Sequence, residues 1–263
     1  MTTIMPVTLT CPVCDTAFET QLLTSTNTIG MRTTDLRSLA AGFQPQEFLI
    51  HTCPSCGYSS FEDGFSGGED ADERVTIDPA VVARVRESIT PLVQDREVDA
   101  ARKWELASWV AEWSGEPAQD LGWFNLNAAW CCQDMLAMEN AARAAGAPSP
   151  LRHTLGNEHL PLEGGAIGDT GSPTTGNLDD RERQYRLRAA AEFERALADD
   201  ATAEDEREMY IYLVGELYRR IGDEDTAHTW FRRVIDGADE TGSEWATLAE
   251  RQMSDPGEMI EQP

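Results

Sequence analysis

Four cysteines carry the clearest chemistry in this chain. Cys11-Pro12-Val13-Cys14 and Cys53-Pro54-Ser55-Cys56-Gly57 each hold two thiols at a two-residue gap, with 38 residues between the clips. That gap lets one tight turn aim both sulfurs at a single ion while the turn's amides point back at the sulfurs and temper their charge; two such turns complete a tetrahedron. Four thiolates leave no coordination position open, so Cys11, Cys14, Cys53 and Cys56 are expected to hold a structural rather than a catalytic zinc. Gly57 suits a left-handed residue after its clip, and Asp15, in the same place after the first, tolerates that conformation better than most side chains.

Three other uses of the thiols fit less well. A redox dithiol belongs between a strand and a helix of a βαβ unit, and no such pattern is visible. Disulfides call for an export signal, but Met1-Thr2-Thr3-Ile4-Met5 has neither a basic start nor an apolar run. Unpaired core cysteines do not explain two identical spacings. His51, two residues before Cys53, reads as a strand residue rather than a fifth donor. Cys131 and Cys132, beside Trp130 in an apolar helical stretch, read as small buried hydrophobes, since no adjacent base or helix start would lower their pKa.

Elements must bring the clips together across a spacer longer than the usual gap of about 15–20 residues, so the spacer must carry structure of its own. Strands are expected at 6–10, 17–24 and 47–52, where β-branched and aromatic residues flank or enter the clips. Residues 1–62 form a zinc-ribbon-like module, and 63–74, acidic and glycine-bearing, a hinge. Helices follow at 79–92, 97–113, 117–145, 181–198, 203–221 and 224–235, with a short one at 244–252; Asp78, Asp179 and Asp223 are expected as caps. The helical part divides into 75–145 and 181–253, separated by a Gly-, Pro-, Ser- and Thr-rich insertion at 146–180 and followed by a tail at 254–263. His153, Glu158 and His159 lie in that insertion, at a spacing that fits no rigid clip or helix face.

The helices carry a repeat. Ile211, Val214, Gly215, Tyr218, Gly222, Ala227, Phe231 and Val234 follow the tetratricopeptide order, in which a small residue on the first helix admits close approach of the second and an aromatic fills the gap. Alanine, an aromatic four later and a third small residue recur at Ala189, Phe193, Ala196 and at Ala100, Trp104, Ala107; residues 125–135 are the expected first helix of the interrupted middle unit. The fold class is therefore mainly α: a small β zinc-ribbon-like N-terminal module followed by a tetratricopeptide-like helical stack.

Charge narrows the partners. The net charge is −26, from 47 acids against 21 bases, and Lys103 is the only lysine. Even residues 1–60 set Asp15, Glu19, Asp35 and Glu47 against Arg32 and Arg37 alone. A phosphate backbone is repelled by such a surface. Dense carboxylates also suit a cytoplasm at high salt, so a halophilic source is expected. No apolar stretch has membrane-spanning length, and a soluble, cytoplasmic protein is expected.

With both halves placed, the chain resembles a known family. The first clip, Cys53-Pro54-Ser55-Cys56-Gly57-Tyr58 followed by Phe61-Glu62-Asp63, and the stretch Tyr212-Leu213-Val214-Gly215-Glu216-Leu217-Tyr218-Arg219-Arg220-Ile221-Gly222 are similar to the prokaryotic family catalogued as domain of unknown function 2225. The likeness spans nearly the whole chain apart from the hinge acids and the 146–180 insertion. It implies that Cys11, Cys14, Cys53 and Cys56 are the zinc ligands and that the helices are tetratricopeptide-like; Asp15 departs from the glycine usual after the first clip. It implies no reaction.

The expected role is a binding scaffold without enzymatic activity, whose concave helical face receives a protein or peptide segment while the zinc module caps the stack. The alternative is a regulatory or nucleic-acid-associated zinc ribbon, which the charge opposes. A third reading, an enzyme using His51 and nearby acids between ribbon and helices, has no catalytic motif behind it. If the hinge makes the halves independent, Cys53→Ser is expected to unfold residues 1–60 and spare the helices.

Overall fold

The computed structural model describes residues 2–27, 30–67, 75–93, 97–148, 154–155, 176–199, 202–238 and 243–260, with the backbone alone at 154–155 and 204–205. The chain is mostly helical, with its strands concentrated in the N-terminal part. Strands β1 (Thr3–Thr10) and β2 (Ala17–Ser25) form an antiparallel hairpin whose turn holds the first clip, and β6 (Ser66–Gly67) pairs with the far edge of β1. The second clip is the turn between β4 (His51–Thr52) and β5 (Ser59–Ser60). Between the clips lie β3 (Arg32–Thr33) and a single helical turn, α1 (Gln46–Leu49).

That turn corrects the strand expected over 47–52. Pro45, at φ −68°, already sits in the helical region and starts the turn. Trp104 Nε1 then donates to the Gln46 carbonyl at 3.0 Å, and of the expected strand only His51 and Thr52 pair as β4.

Residues 79–93 form one helical run: α2 (Pro79–Arg84), a π-turn at Val85–Ile89 and α3 (Thr90–Val93). Pro91 has no N–H to give the Glu87 carbonyl, a physical reason for the ladder to widen there. Then come α4 (Ala100–Ser114), α5 (Ala118–Ala144), α6 (Leu178–Ala198), α7 (Glu204–Arg220), α8 (Glu224–Gly237) and α9 (Glu244–Ser254). Asp78 and Asp223 cap their helices as expected. The start of α6 is different: Asn177 is the cap, in a reciprocal box with Asp180, and Asp179 lies inside the first turn.

Close approach of the helices uses glycine on one and phenylalanine on the next. A Cβ on Gly215 would lie 2.8 Å from the Phe231 ring, and one on Gly122 would lie 2.5 Å from the Phe193 ring. The contact in α7 and α8 is the one the repeat pattern anticipates. In α5 and α6 it falls at Gly122, about one turn before the 125–135 stretch expected to supply it. Trp104 departs further from the repeat reading. It packs on Phe124 of α5 and on Phe61, just after β5, with ring centroids 5.6 and 5.7 Å away.

Two short pairings tie distant segments. Glu97–Val98 (β7) runs parallel to Thr154–Leu155 (β8), and Arg32–Thr33 of β3 pairs antiparallel with Met259–Ile260 (β9). Most of the hinge acids (68–74) and most of the 146–180 insertion, including His153, Glu158 and His159, lie outside the described residues.

The cysteine module is not a separate body. Leu9, Cys11, Val13, Cys53, Cys56, Tyr58 and Phe65 share one core with Val81, Val85, Ile89 and Val93 and with Leu106, Trp109 and Val110 of α4. Each such aliphatic or aromatic side chain withdrawn from water contributes about 1.5–3 kcal/mol. The halves share a core, so the independence on which sparing of the helices depended is not met, and loss of the clips is expected to be felt in α2 to α4.

Candidate metal centre

Both clips fold into the same knuckle. In the first, the Asp15 N–H donates to the Cys11 carbonyl at 2.9 Å and the Cys11 N–H to the Thr16 carbonyl at 3.0 Å; in the second, Gly57 donates to Cys53 at 2.8 Å and Cys53 to Tyr58 at 2.9 Å. Closing that turn requires a left-handed residue, and Asp15 has φ +56° and Gly57 φ +77°. Asp15 is exposed, whereas a Cβ on Gly57 would lie 2.5 Å from Ile89 Cγ2 and 2.7 Å from Val93 Cγ2. The same backbone shape thus accepts aspartate at one knuckle and has room only for glycine at the other.

The knuckles face each other and bring the four sulfurs within 4.8 Å of one another. Cys11 Sγ is 3.6 Å from Cys56 Sγ, and Cys14 Sγ is 3.5 Å from Cys53 Sγ. A tetrahedron of sulfurs around an ion at about 2.3 Å has edges of about 3.8 Å, so the spacing fits a four-thiolate metal ion. Cys11, Cys53 and Cys56 are buried and Cys14 is half-buried.

Crowding sets the protonation. Hydrogen bonds from Cys11 and Cys56 hold the Cys53 thiol below its usual range. Its hydrogen bond to Cys53, with burial, pushes Cys11 up to about 12, and contact with Cys11 and Cys53 pushes Cys56 up further. One negative charge can be shared among these thiols; four cannot, unless a cation compensates them. Among the described residues this is the only group of three or more His, Cys, Asp or Glu side chains arranged to hold a metal ion.

The helices brace both knuckles. Arg86 Nη2 donates to the Val13 carbonyl at 2.9 Å, and Thr90 Oγ1 donates to the Cys56 carbonyl at 2.9 Å. Both donors come from the run widened by its π-turn.

His51 stands apart from the sulfur group, as expected. It is 2% exposed, its Nδ1 lies 3.1 Å from Thr20 Oγ1, and burial together with nearby Lys103 lowers its pKa to about 4. Cys131 and Cys132 are buried, and desolvation pushes both thiols above their usual range, Cys132 to about 12.

Sequence reasoning missed a second focus, the segment between the clips. Residues 33–37 lie against α5, α6 and α7 and bury two charges there. Asp35 Oδ2 accepts from Arg186 Nη1 at 2.8 Å and from Trp130 Nε1 at 2.9 Å, with Arg220 Nη2 3.6 Å from its other oxygen. Burial alone would raise the Asp35 pKa; Arg186 and Arg220 overturn that and hold it well below the carboxylate range. Arg37 pairs with Asp134 of α5, Thr34 Oγ1 donates to Glu216 at 2.6 Å, and Tyr212 donates to the Thr34 carbonyl at 3.0 Å. Leu36, at φ +70°, is buried in the core of α5 to α9. The only signal in sequence was indirect: Arg186 falls on the apolar stripe of its helix, where a buried guanidinium needs a partner from elsewhere.

The fold and site together define a class: proteins in which two cysteine knuckles, packed on a π-turn helix, head a stack of helices. The chain belongs to the family described as uncharacterized proteins conserved in bacteria, DUF2225, whose sequence pattern matches residues 5–252. No curated protein and no solved structure matches it.

Proposed function

We propose that this chain is a zinc-stabilised interaction scaffold, with Cys11, Cys14, Cys53 and Cys56 as the ligands of one structural Zn²⁺. The observation that carries the metal assignment is the largely buried four-sulfur set at tetrahedral spacing. Zinc suits four thiolates in that geometry, and four protein ligands leave it no place for substrate. When bound, the ion supplies folding free energy and fixes the angle between the knuckles.

The interaction role rests on shape. Residues 33–37 already dock on α5 to α7, and the face left to a partner in this reading is the cleft between β5 and the helices α4 and α5, of about 410 Å³. Phe61, 40% exposed, stands at its mouth. A protein or peptide segment is the fitting occupant.

Metal and thiol analysis of the intact chain tests the zinc. One zinc per chain, with Cys11, Cys14, Cys53 and Cys56 unreactive to a thiol reagent until a chelator is added, is expected. A metal-free chain with four reactive thiols would overturn the reading and turn it towards redox chemistry. For the scaffold, a photo-crosslinker at position 61 should trap a polypeptide partner in the native cytosol at native salt; a chain that traps none and is captured with none refutes it.

A further inference from the structure

Aromatic residues make up 8% of the chain but a third of the residues lining the cleft. Tyr58, Phe61, Trp104, Trp123 and Phe124 form its walls, and Phe61, Trp104 and Phe124 are in mutual ring contact at 5.6–5.7 Å. Asp63, Glu116 and Asp120 complete the charged part of the lining, and no arginine or lysine joins them. None of these three carboxylates makes a salt bridge among the described residues, although the arginines packed among the helices, such as Arg37, Arg181, Arg186 and Arg220, all do. Nor do the three converge as metal ligands, since the cysteine group is the sole metal-type cluster among the described residues.

Beyond Phe61 the surface dips again. A second depression, of about 430 Å³, shares Phe61 and Asp63 with the cleft and is floored by Leu22, Leu23, Phe48 and Leu49. Two adjoining depressions form a track for an extended chain rather than a pocket for one small molecule. The first offers π faces and uncompensated negative charge; the second offers aliphatic and aromatic surface.

Building on the scaffold reading, we infer that this track binds a partner polypeptide through an arginine seated in the cleft, with an apolar side chain of the same segment in the neighbouring depression. A guanidinium satisfies both features of the cleft at once. It stacks on aromatic faces, and its forked donors reach carboxylates that a single ammonium would meet only as a point charge. The protein's strong negative charge adds attraction for a basic segment at low ionic strength.

The test is titration of the zinc-loaded chain with peptide pools, followed by tryptophan fluorescence and calorimetry. Each pool is a random hexapeptide with one fixed position, occupied by arginine, lysine, glutamine or glutamate. The arginine pool is expected to bind at least about tenfold more tightly than the glutamine pool, with lysine between and glutamate weakest. Glu116→Gln combined with Asp120→Asn should bring the arginine pool down to the glutamine value without changing zinc content or melting temperature. Phe61→Ala should weaken all the pools.

Equal binding of the arginine and glutamine pools, or an arginine preference that survives Glu116→Gln with Asp120→Asn, overturns the arginine assignment and leaves the scaffold reading standing. If no pool binds while the position-61 crosslinker still traps a partner, the arginine assignment again fails alone. If no pool binds and nothing is trapped, both fail.

Discussion

The N-terminal module is fastened to the helices at two places by opposite chemistry. At the clips the contact is mainly apolar: Cys11, Cys53, Cys56, Leu9 and Phe65 share a core with α2 to α4, with Arg86 reaching the Val13 carbonyl at its edge. At residues 33–37 it is ionic: Asp35 and Arg37 are buried against Arg186, Arg220 and Asp134. The first kind of contact tolerates small losses of area but not loss of its ion. The second tolerates neither partner's removal, because a buried charge is left undercompensated. One module thus has two separate points of failure.

Removing the ion should have the largest effect. If the cysteines hold the zinc proposed above, Cys53→Ser, or chelation under denaturing stress, withdraws binding free energy on the order of 10 kcal/mol, comparable to the stability of a whole domain. Hydrogen exchange should show β1, β2 and the 79–93 helical run losing protection together while α7 and α8 keep theirs. Loss confined to residues 3–67 would mean that the shared core contributes little.

Breaking the ionic contact comes next. Asp35→Asn leaves Arg186 short of its counter-charge, at a cost of about 3–5 kcal/mol. The sign with pH follows from the lowered carboxyl pKa: its stabilisation is complete above the ordinary aspartate value, about pH 4, and is lost as pH falls through the folded value. Acid also protonates the thiolates, so the informative quantity is the difference between wild type and Asp35→Asn. That difference in melting temperature should shrink from pH 5 to pH 3, and a constant difference would show that Asp35 is not the titrating group.

Gly57→Ala sharpens the comparison between the two knuckles. It adds a side chain in the left-handed region and drives it into Ile89 and Val93, for about 2–4 kcal/mol by equilibrium unfolding. Asp15→Gly is the smallest change: the left-handed strain is relieved at an exposed position, and stability should stay within about 1 kcal/mol of wild type. Similar penalties for the two substitutions would show that the helix does not press on the second knuckle.

Legibility in the sequence tracked locality. The clips were readable because a two-residue gap fixes a turn by itself, and the left-handed role of Asp15 followed from the same turn. Strands β1 and β2 and the long helices were readable from composition and periodicity. Residues 46–49 were not, since Pro45 and the Trp104 indole, 58 residues from the carbonyl it binds, decide their conformation. Asp179 looked like a cap because it is acidic and near the helix start, but Asn177 could close a reciprocal pair with Asp180 and won.

The sequence alone determined the four thiols, their knuckles, the helical class and the acidic surface, because each depends on residues close in the chain or on composition. The tertiary structure alone decided that Gly57 is pressed by Ile89 and Val93, that residues 33–37 dock on α5 to α7, and that Phe61 stands between two depressions. All of these depend on contacts between segments tens to hundreds of residues apart. Such contacts are selected by whether charges are compensated and apolar surface is withdrawn from water, and no local spacing encodes them.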